Sequence, residues 1–221
     1  MHFRKHSYKI QVSTIKVNLR KARIYMKRLD SIVEFVSGSP QFRIIEVIDD
    51  NAPLYTYYGQ QDIEDDLVGI DSNGSDSKQV RTLDKVSTLC QGDIVFSLIS
   101  GKSTIVGVEH QGYLYTQNYV KLVTDEKVDS KYLVYLLNED KFIKKQFQMG
   151  LQGSQVLKYT LKQVKELELP DLPTIEKQRI IGELYFNQLR LEALKIRAAN
   201  LETTIVLEKL RGQSINDRES I

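Results

Sequence analysis

Several runs in this 221-residue chain carry side chains able to do chemistry, and each chemistry needs a context of its own. Gly101-Lys102-Ser103-Thr104 has the composition of the end of a phosphate-binding loop, where backbone N–H groups and a lysine cradle an anion. That loop needs a glycine five positions before Gly101, where Phe96 stands, and a helix after it whose N-terminus faces the phosphate. The residues after Lys102 read as a strand instead, so nucleotide binding is rejected. Glu139-Asp140-Lys141, with Asp125 and Asp129 upstream, has the residue types of a metal-dependent nuclease. Such a site needs acid and lysine side by side at a strand end, whereas these fall in a mixed-charge run on a surface helix. Ser39-Pro40-Gln41-Phe42 lacks the second proline of an amino-methyltransferase signature, and no Gly-rich cofactor loop precedes it. No Gly-x-Ser-x-Gly elbow stands out. The expectation is a chain with no catalysis, cofactor or metal of its own.

The remaining polar hardware suits recognition. Tyr55-Thr56-Tyr57-Tyr58-Gly59-Gln60-Gln61 offers aromatic faces, hydroxyls and two amides in seven residues. Glutamine bonds adenine bidentately through N6 and N7, while lysine and arginine prefer guanine O6 and N7. Ser100-Gly101-Lys102-Ser103 and Gly153-Ser154-Gln155-Val156-Leu157-Lys158 are small, cation-bearing loops suited to phosphate contact. The candidate DNA contacts are therefore Tyr57, Gln60, Gln61, Lys102, Ser103, Gln155 and Lys158. Each is, taken alone, also an ordinary loop residue.

Composition bounds the rest. With 41% hydrophobic and 27% charged residues, the chain reads as globular. Its apolar runs fall far short of the ~20 residues of a membrane span, and residues 1–28 lack the apolar core of a secretion signal. A single cysteine, Cys90, excludes an intrachain disulfide and suits a reducing cytoplasm. With three histidines it leaves little for a zinc site. The net charge of +2 hides an asymmetry: residues 1–28 hold nine of the 31 basic residues and no acid. The remainder carries 22 basic against 29 acidic residues, a basic arm on an acidic body. A solvated leader tail is the alternative reading of that arm.

Residues 29–172 read as an α+β, β-rich domain. Strands are expected at 32–36, 42–48, 93–100, 104–108 and 113–123, a polar loop at 62–78, and a helix at 130–147. A short amphipathic piece holds Leu161 and Val164. Past Pro173 the spacing becomes helical, with Thr174 as N-cap, an expected end at Gly212 and a tail over 213–221. Such a helix is ~57 Å long. Its heptad a positions are Lys177, Leu184, Leu191, Ala198 and Ile205, and its d positions Ile180, Asn187, Leu194, Leu201 and Glu208. This is a coiled-coil seam, and the dimerisation residues expected from it are Ile180, Leu184, Asn187, Leu191, Leu194, Ala198, Leu201 and Ile205. The alternative is a helix folded back on the body through Tyr185, Phe186 and Leu189.

In order, Leu89-x-x-Gly92-Asp93-Ile94-Val95-Phe96-Ser97, Lys131-Tyr132-Leu133-x-Tyr135-Leu136-Leu137 and Gly153-Ser154-Gln155 lead to Leu167-x-Leu169-Pro170-x-Leu172-Pro173-x-Ile175-Glu176-x-Gln178-x-Ile180-Ile181. This set resembles a target-recognition domain and spacer helix of type I restriction-modification specificity subunits, across residues 29–211. The resemblance implies a non-catalytic DNA-reading subunit that docks adenine methyltransferase subunits, joined by an ATP-dependent restriction endonuclease subunit. Members carry two recognition domains and two spacer helices. This chain has one of each, and the basic arm precedes the usual start. The expectation is a homodimer through an antiparallel coiled coil, reading a palindromic double-stranded DNA site whose halves lie more than a duplex turn apart. A coiled-coil adaptor that does not read DNA, or a silent specificity cassette, is the alternative.

Overall fold

A computed structural model describes residues 26–70, 77–151 and 158–219. The basic arm up to residue 25, and Gln155, lie outside the described residues. The fold is α+β, a β-rich body followed by one long helix. Its main sheet is antiparallel throughout, in the order β1 (Val33–Ser37), β6 (Tyr119–Thr124), β4 (Ile94–Ser97), β5 (Ser103–Ile105). A second ribbon pairs β2 (Leu54–Thr56) with β3 (Gln79–Arg81). All four residues of β4 are buried, because both faces of the sheet are covered. Alternation sends Ile94 and Phe96 into a core with Val120, Leu122 and Leu133. Val95 goes to the opposite core, with Tyr58, Ile63 and Tyr119.

Helices α1 (Gln60–Val68), α2 (Ser130–Glu139), α3 (Lys141–Leu151) and α4 (Leu161–Lys165) cover the sheet. Two of the acids singled out as nuclease-like, Asp129 and Asp140, serve helix ends. Asp129 caps α2 by accepting from Tyr132 N–H. Asp140 ends α2 through its N–H to Leu136 O, and its carboxylate then accepts from Phe142 and Ile143 N–H to start α3. The single helix expected over 130–147 is therefore two. Residues 42–48 make no ladder; a 3-10 turn (Gln41–Arg43) leads to an extended stretch whose Ile45 N–H goes to the Asp84 carboxylate. The expected loop over 62–78 begins instead as α1, whose buried positions include Asp62 and Asp65 where a helix pattern would show apolar residues.

Asp62, together with Asp66, belongs to a buried network that fastens α1. His110 Nδ1 lies 2.8 Å from Asp66 Oδ1 and its Nε2 lies 3.3 Å from Asp62 Oδ1. Tyr58 donates to Asp66 Oδ2 at 2.6 Å, Gly107 N–H to Asp66 Oδ1, and Gly59 N–H to Asp62 Oδ2. Burial alone lowers the His110 pKa, but its hydrogen bond to Asp66 and the charges of Asp66, Asp62 and Asp65 outweigh it, and the net shift is upward. Burial raises the Asp62 pKa against the opposing pull of Gly59 N–H and His110.

The long helix α5 (Ile175–Glu219) begins one residue after Thr174, whose carbonyl accepts the first helical bond from Gln178 N–H. It passes through Gly212 and continues over most of the expected tail. At 45 residues it is ~68 Å long. The body does not sit at its tip; it lies along the first turns. Gln178 is 2% exposed with its amide fully used: Oε1 accepts from Asp129 N–H, and Nε2 donates to Lys127 O and Pro173 O. Ile181, Tyr185, Phe186 and Leu189 pack on the core, so the fold-back contact and the exposed seam coexist on opposite faces. Among the described residues no helix is long and apolar enough to cross a membrane.

Gly182 lets α5 touch α2: a Cβ there would stand 2.6 Å from Lys131 Cβ and 2.7 Å from Tyr132 N. Gly182→Ala should therefore cost about 1–3 kcal/mol despite the ~0.5–1 kcal/mol that alanine normally adds inside a helix. Gly212→Ala, where a Cβ meets open space, should stabilise slightly, and thermal melts followed by circular dichroism compare the two. Because the His110 pKa is raised by folding, its contribution is complete below the unfolded value near ~6.5 and lost as pH rises through the folded one. The Asp62 shift has the same sign at lower pH. The urea midpoint should fall from pH 6.5 to 8.5, and His110→Gln should flatten that slope.

Candidate nucleic-acid interface

The turn between β4 and β5 gathers most of the candidate contacts. Gln60, the first residue of α1, donates through Nε2 to Ser97 Oγ at 2.9 Å and Tyr119 Oη at 3.0 Å. Its amide thus ties α1 to two strands. Gln61 is exposed, one residue on, with Nε2 donating to Asp65 Oδ1. Lys102 extends from the turn and pairs with Glu64 of α1, both side chains nearly half exposed. Tyr159 N–H bonds Leu98 O, bringing Lys158 to the same end of the sheet, where its Nζ donates to Asn118 Oδ1 at 2.6 Å. Ser103 is buried at 0% exposure. Asn138 Oδ1 accepts from both its N–H and its hydroxyl, so it offers no atom to a ligand and is corrected to a structural residue.

The backbone of the turn is also committed. Ile99 and Ser100 N–H both go to Ser97 Oγ, Gly101 N–H to Ser97 O, and Lys102 N–H to Ser100 Oγ. Gly101 has φ +73°, and a Cβ would meet the Tyr159 ring at 2.5 Å. The strand β5 follows directly. This is a tight hairpin turn, in line with the rejection of a phosphate loop.

Tyr57 stands apart from that turn. Its N–H bonds Lys78 O, and Lys78 Nζ sits 5.6 Å from the ring centroid. Burial, with Glu46 adding, raises its hydroxyl pKa, so it stays a protonated donor. Tyr119 is raised by burial, against the Gln60 bond. The electrostatic setting is acidic: α1 carries Asp62, Glu64, Asp65 and Asp66 beside the two glutamines. Residues 29–172 hold 14 basic against 22 acidic residues.

Beside the turn a cavity of about 430 Å³ opens between α1, α2, α3 and α5, lined by Lys102, Asn138, Phe147, Tyr159, Tyr185 and Leu189 among others. Its rim is self-neutralised by the Lys102–Glu64 and Lys144–Glu139 pairs. Burial pushes the Tyr185 hydroxyl up to about 12. Among the described residues no group of three or more His, Cys, Asp or Glu is placed to hold a metal ion. Spacing along the chain did not reveal Glu64, Asn118 or Asn138, because each meets its partner across 35 to 40 residues.

No protein-family model matches the chain, and no curated protein matches it in sequence. Solved structures do. A chain from a structure on complex assembly and conformational transition of the type I R-M system superposes with a TM-score of 0.53 at 16% identity, over 91% of this chain and 50% of that one. The HsdS subunit from Thermoanaerobacter tengcongensis matches at TM-score 0.49 and 16% identity, over 79% of this chain and 39% of that one. The type I restriction-modification S subunit from M. genitalium matches at 0.43 and 19%, over 83% and 42%. This chain spans half their length or less. It has the fold of a polypeptide of the type I restriction-modification system.

Proposed function

We propose that this chain acts in DNA specificity within a type I restriction-modification complex, its body serving as recognition domain and its long helix as spacer, without catalysis of its own. The observation that carries the reading is the shared fold, a body and a long helix superposing over 91% of the chain. Ile180, Leu184, Leu191, Leu194, Leu201 and Ile205 stand 46–64% exposed along one stripe of α5, opposite the body. Such a stripe is covered by another helix. Two-fold pairing makes the target palindromic and bipartite. The assembly would work in the cytoplasm, docking adenine methyltransferase subunits and an ATP-dependent restriction endonuclease subunit.

Lys102 and Lys158 are the phosphate contacts in this reading, each exchanging its present partner for DNA. Tyr57 and Gln61 face the bases, joined by Gln155. Gln60 positions α1 and is left out of direct contact. A second reading, a coiled-coil adaptor that reads no DNA, draws on the acidic α1 beside Gln60 and Gln61.

Co-purification with a candidate adenine methyltransferase, followed by mapping of methylated adenines, separates the two. A bipartite palindromic motif that depends on this chain supports the reader; stable assembly with no effect on methylation supports the adaptor. Leu191→Asp should turn a dimer into a monomer in light scattering while leaving the thermal transition of the body in place. Lys102→Ala and Lys158→Ala should each weaken binding to all sequences and reduce the log–log salt slope by about 1. An unchanged slope removes that contact.

A further inference from the structure

The stripe on α5 also contains the information for how a second copy sits on it. In an antiparallel pair each a residue meets a d residue of the other helix. One alignment sets Leu191 against Leu194, Leu184 against Leu201, Ile180 against Ile205, Asn187 against Ala198 and Lys177 against Glu208. Every large aliphatic then faces another, and the one charged layer is a pair of opposite sign. Sliding by one heptad in either direction breaks this match. One slide puts Lys177 against Leu201 and Asn187 against Leu191. The other puts Leu184 against Glu208 and Ile205 against Asn187. A polar residue facing a large aliphatic in the seam is unsatisfied, which is how coiled coils reject registers.

The favoured alignment has a consequence on its flank. Arg190 and Arg197 each directly precede an a residue, Leu191 and Ala198, so they share one side of the seam. In an antiparallel pair that side meets the same side of the second copy. With the two-fold axis between Glu192 and Ala193, four arginine positions fall within ~14 Å of helix length. Among the described residues neither arginine has an ion pair. The nearest acid on that side toward the body, Glu183, is already held by Lys131 at 2.7 Å. Four like charges oppose pairing unless an anion lies across them, and duplex DNA carries one charge per ~1.7 Å of its axis.

We propose that two copies pair through α5 in this single register, and that it gathers Arg190 and Arg197 of both copies into a patch that binds the phosphates of the duplex between the two half-sites. The proposal rests on the self-pairing, DNA-reading function above and adds its register and a site. It also resets the ruler. The gripped segment, residues 178–189, is centred nine residues from the axis, which places the two bodies' grips ~27 Å apart along the rod. That is less than a duplex turn of ~34–36 Å, and shorter than the full helix length implied, because the body holds the side of the helix and not its end.

The register is tested by cross-linking in a Cys90→Ser background, since Cys90 is exposed and free. Differently tagged Leu184→Cys and Leu201→Cys full-length chains, mixed and oxidised, should form a disulfide heterodimer, whereas Leu184→Cys with Leu194→Cys or with Glu208→Cys should not. A dimer whose cross-links favour either of the latter pairs overturns the register while leaving self-pairing intact. Sedimentation as a monomer at micromolar concentration overturns both. For the patch, the Arg190→Ala/Arg197→Ala chain is titrated by fluorescence anisotropy onto a duplex of mixed sequence at several salt concentrations. The dimer should persist, and the log–log salt slope should become shallower by about 2–3.6, four cations at ~0.9 each setting the upper bound. Arg190→Lys/Arg197→Lys should restore it. An unchanged slope, or no DNA binding by the parent chain, overturns the patch.

Discussion

A helix presents side chains all round its axis, and the body covers only one side of α5. Which side is decided at one crossing, where Gly182 removes the Cβ that would strike α2 and Gln178 sinks its amide among Asp129, Lys127 and Pro173. That contact fixes the rotation of α5 about its own axis. Once Ile181, Tyr185, Phe186 and Leu189 face inward, geometry sends Ile180, Leu184, Leu191 and Leu194 outward. The exposed apolar stripe and the flank that carries the arginines both follow from this docking.

Inside the body, polar residues do the orienting and apolar residues the filling. Val95 and its two neighbours in β4 feed two separate cores, so helices can be laid against both faces of a small sheet. What sets their angles is a handful of buried polar contacts. Gln60 pins the start of α1 to β4 and β6, the His110–Asp66–Tyr58 network pins its side, and Asn138 ties α2 to β5 and to Tyr185 of α5. Unsatisfied, each would cost more than it contributes when paired. The surface turn at Ser97–Lys102 is held by the same means, and its cations are parked on Glu64 and Asn118. A ligand that takes them must offer more than those partners, as a polyanion does.

In the proposed pair, the acidic excess of the body and the arginines on the flank of the rod would divide two tasks. Long-range attraction to phosphate would be carried by groups near the axis of a pair, where no sequence is read. Each body would add Lys102 and Lys158 to that attraction, while the acids close to its candidate base-reading loop would limit non-specific adhesion. Specificity in that arrangement comes from fit at the half-sites and affinity from the charge between them.

The sequence by itself determined the elements with an uninterrupted period. The seam of α5 and the strands around Ile94 and Tyr119 were legible because their apolar residues recur at the spacing of one face, a property of neighbours in the chain. The absence of a phosphate loop was legible too, since Phe96 stands where a glycine must. Tertiary structure alone decided what depends on partners distant in sequence. Helix α1 was read as a loop because Asp62 and Asp65 occupy its buried positions, and they are tolerable there because Gly59 N–H and the distant His110 meet Asp62 while Gln61 meets Asp65. The break at Asp140 reflects one carboxylate serving the next helix. Ser103 and Gln60 looked like exposed recognition residues and are bonded inward, because Asn138 and Ser97 reach them across 35 and 37 residues. Local spacing sets which face of a segment is apolar; only packing sets which polar side chain finds a partner, and so which remains free to meet a ligand.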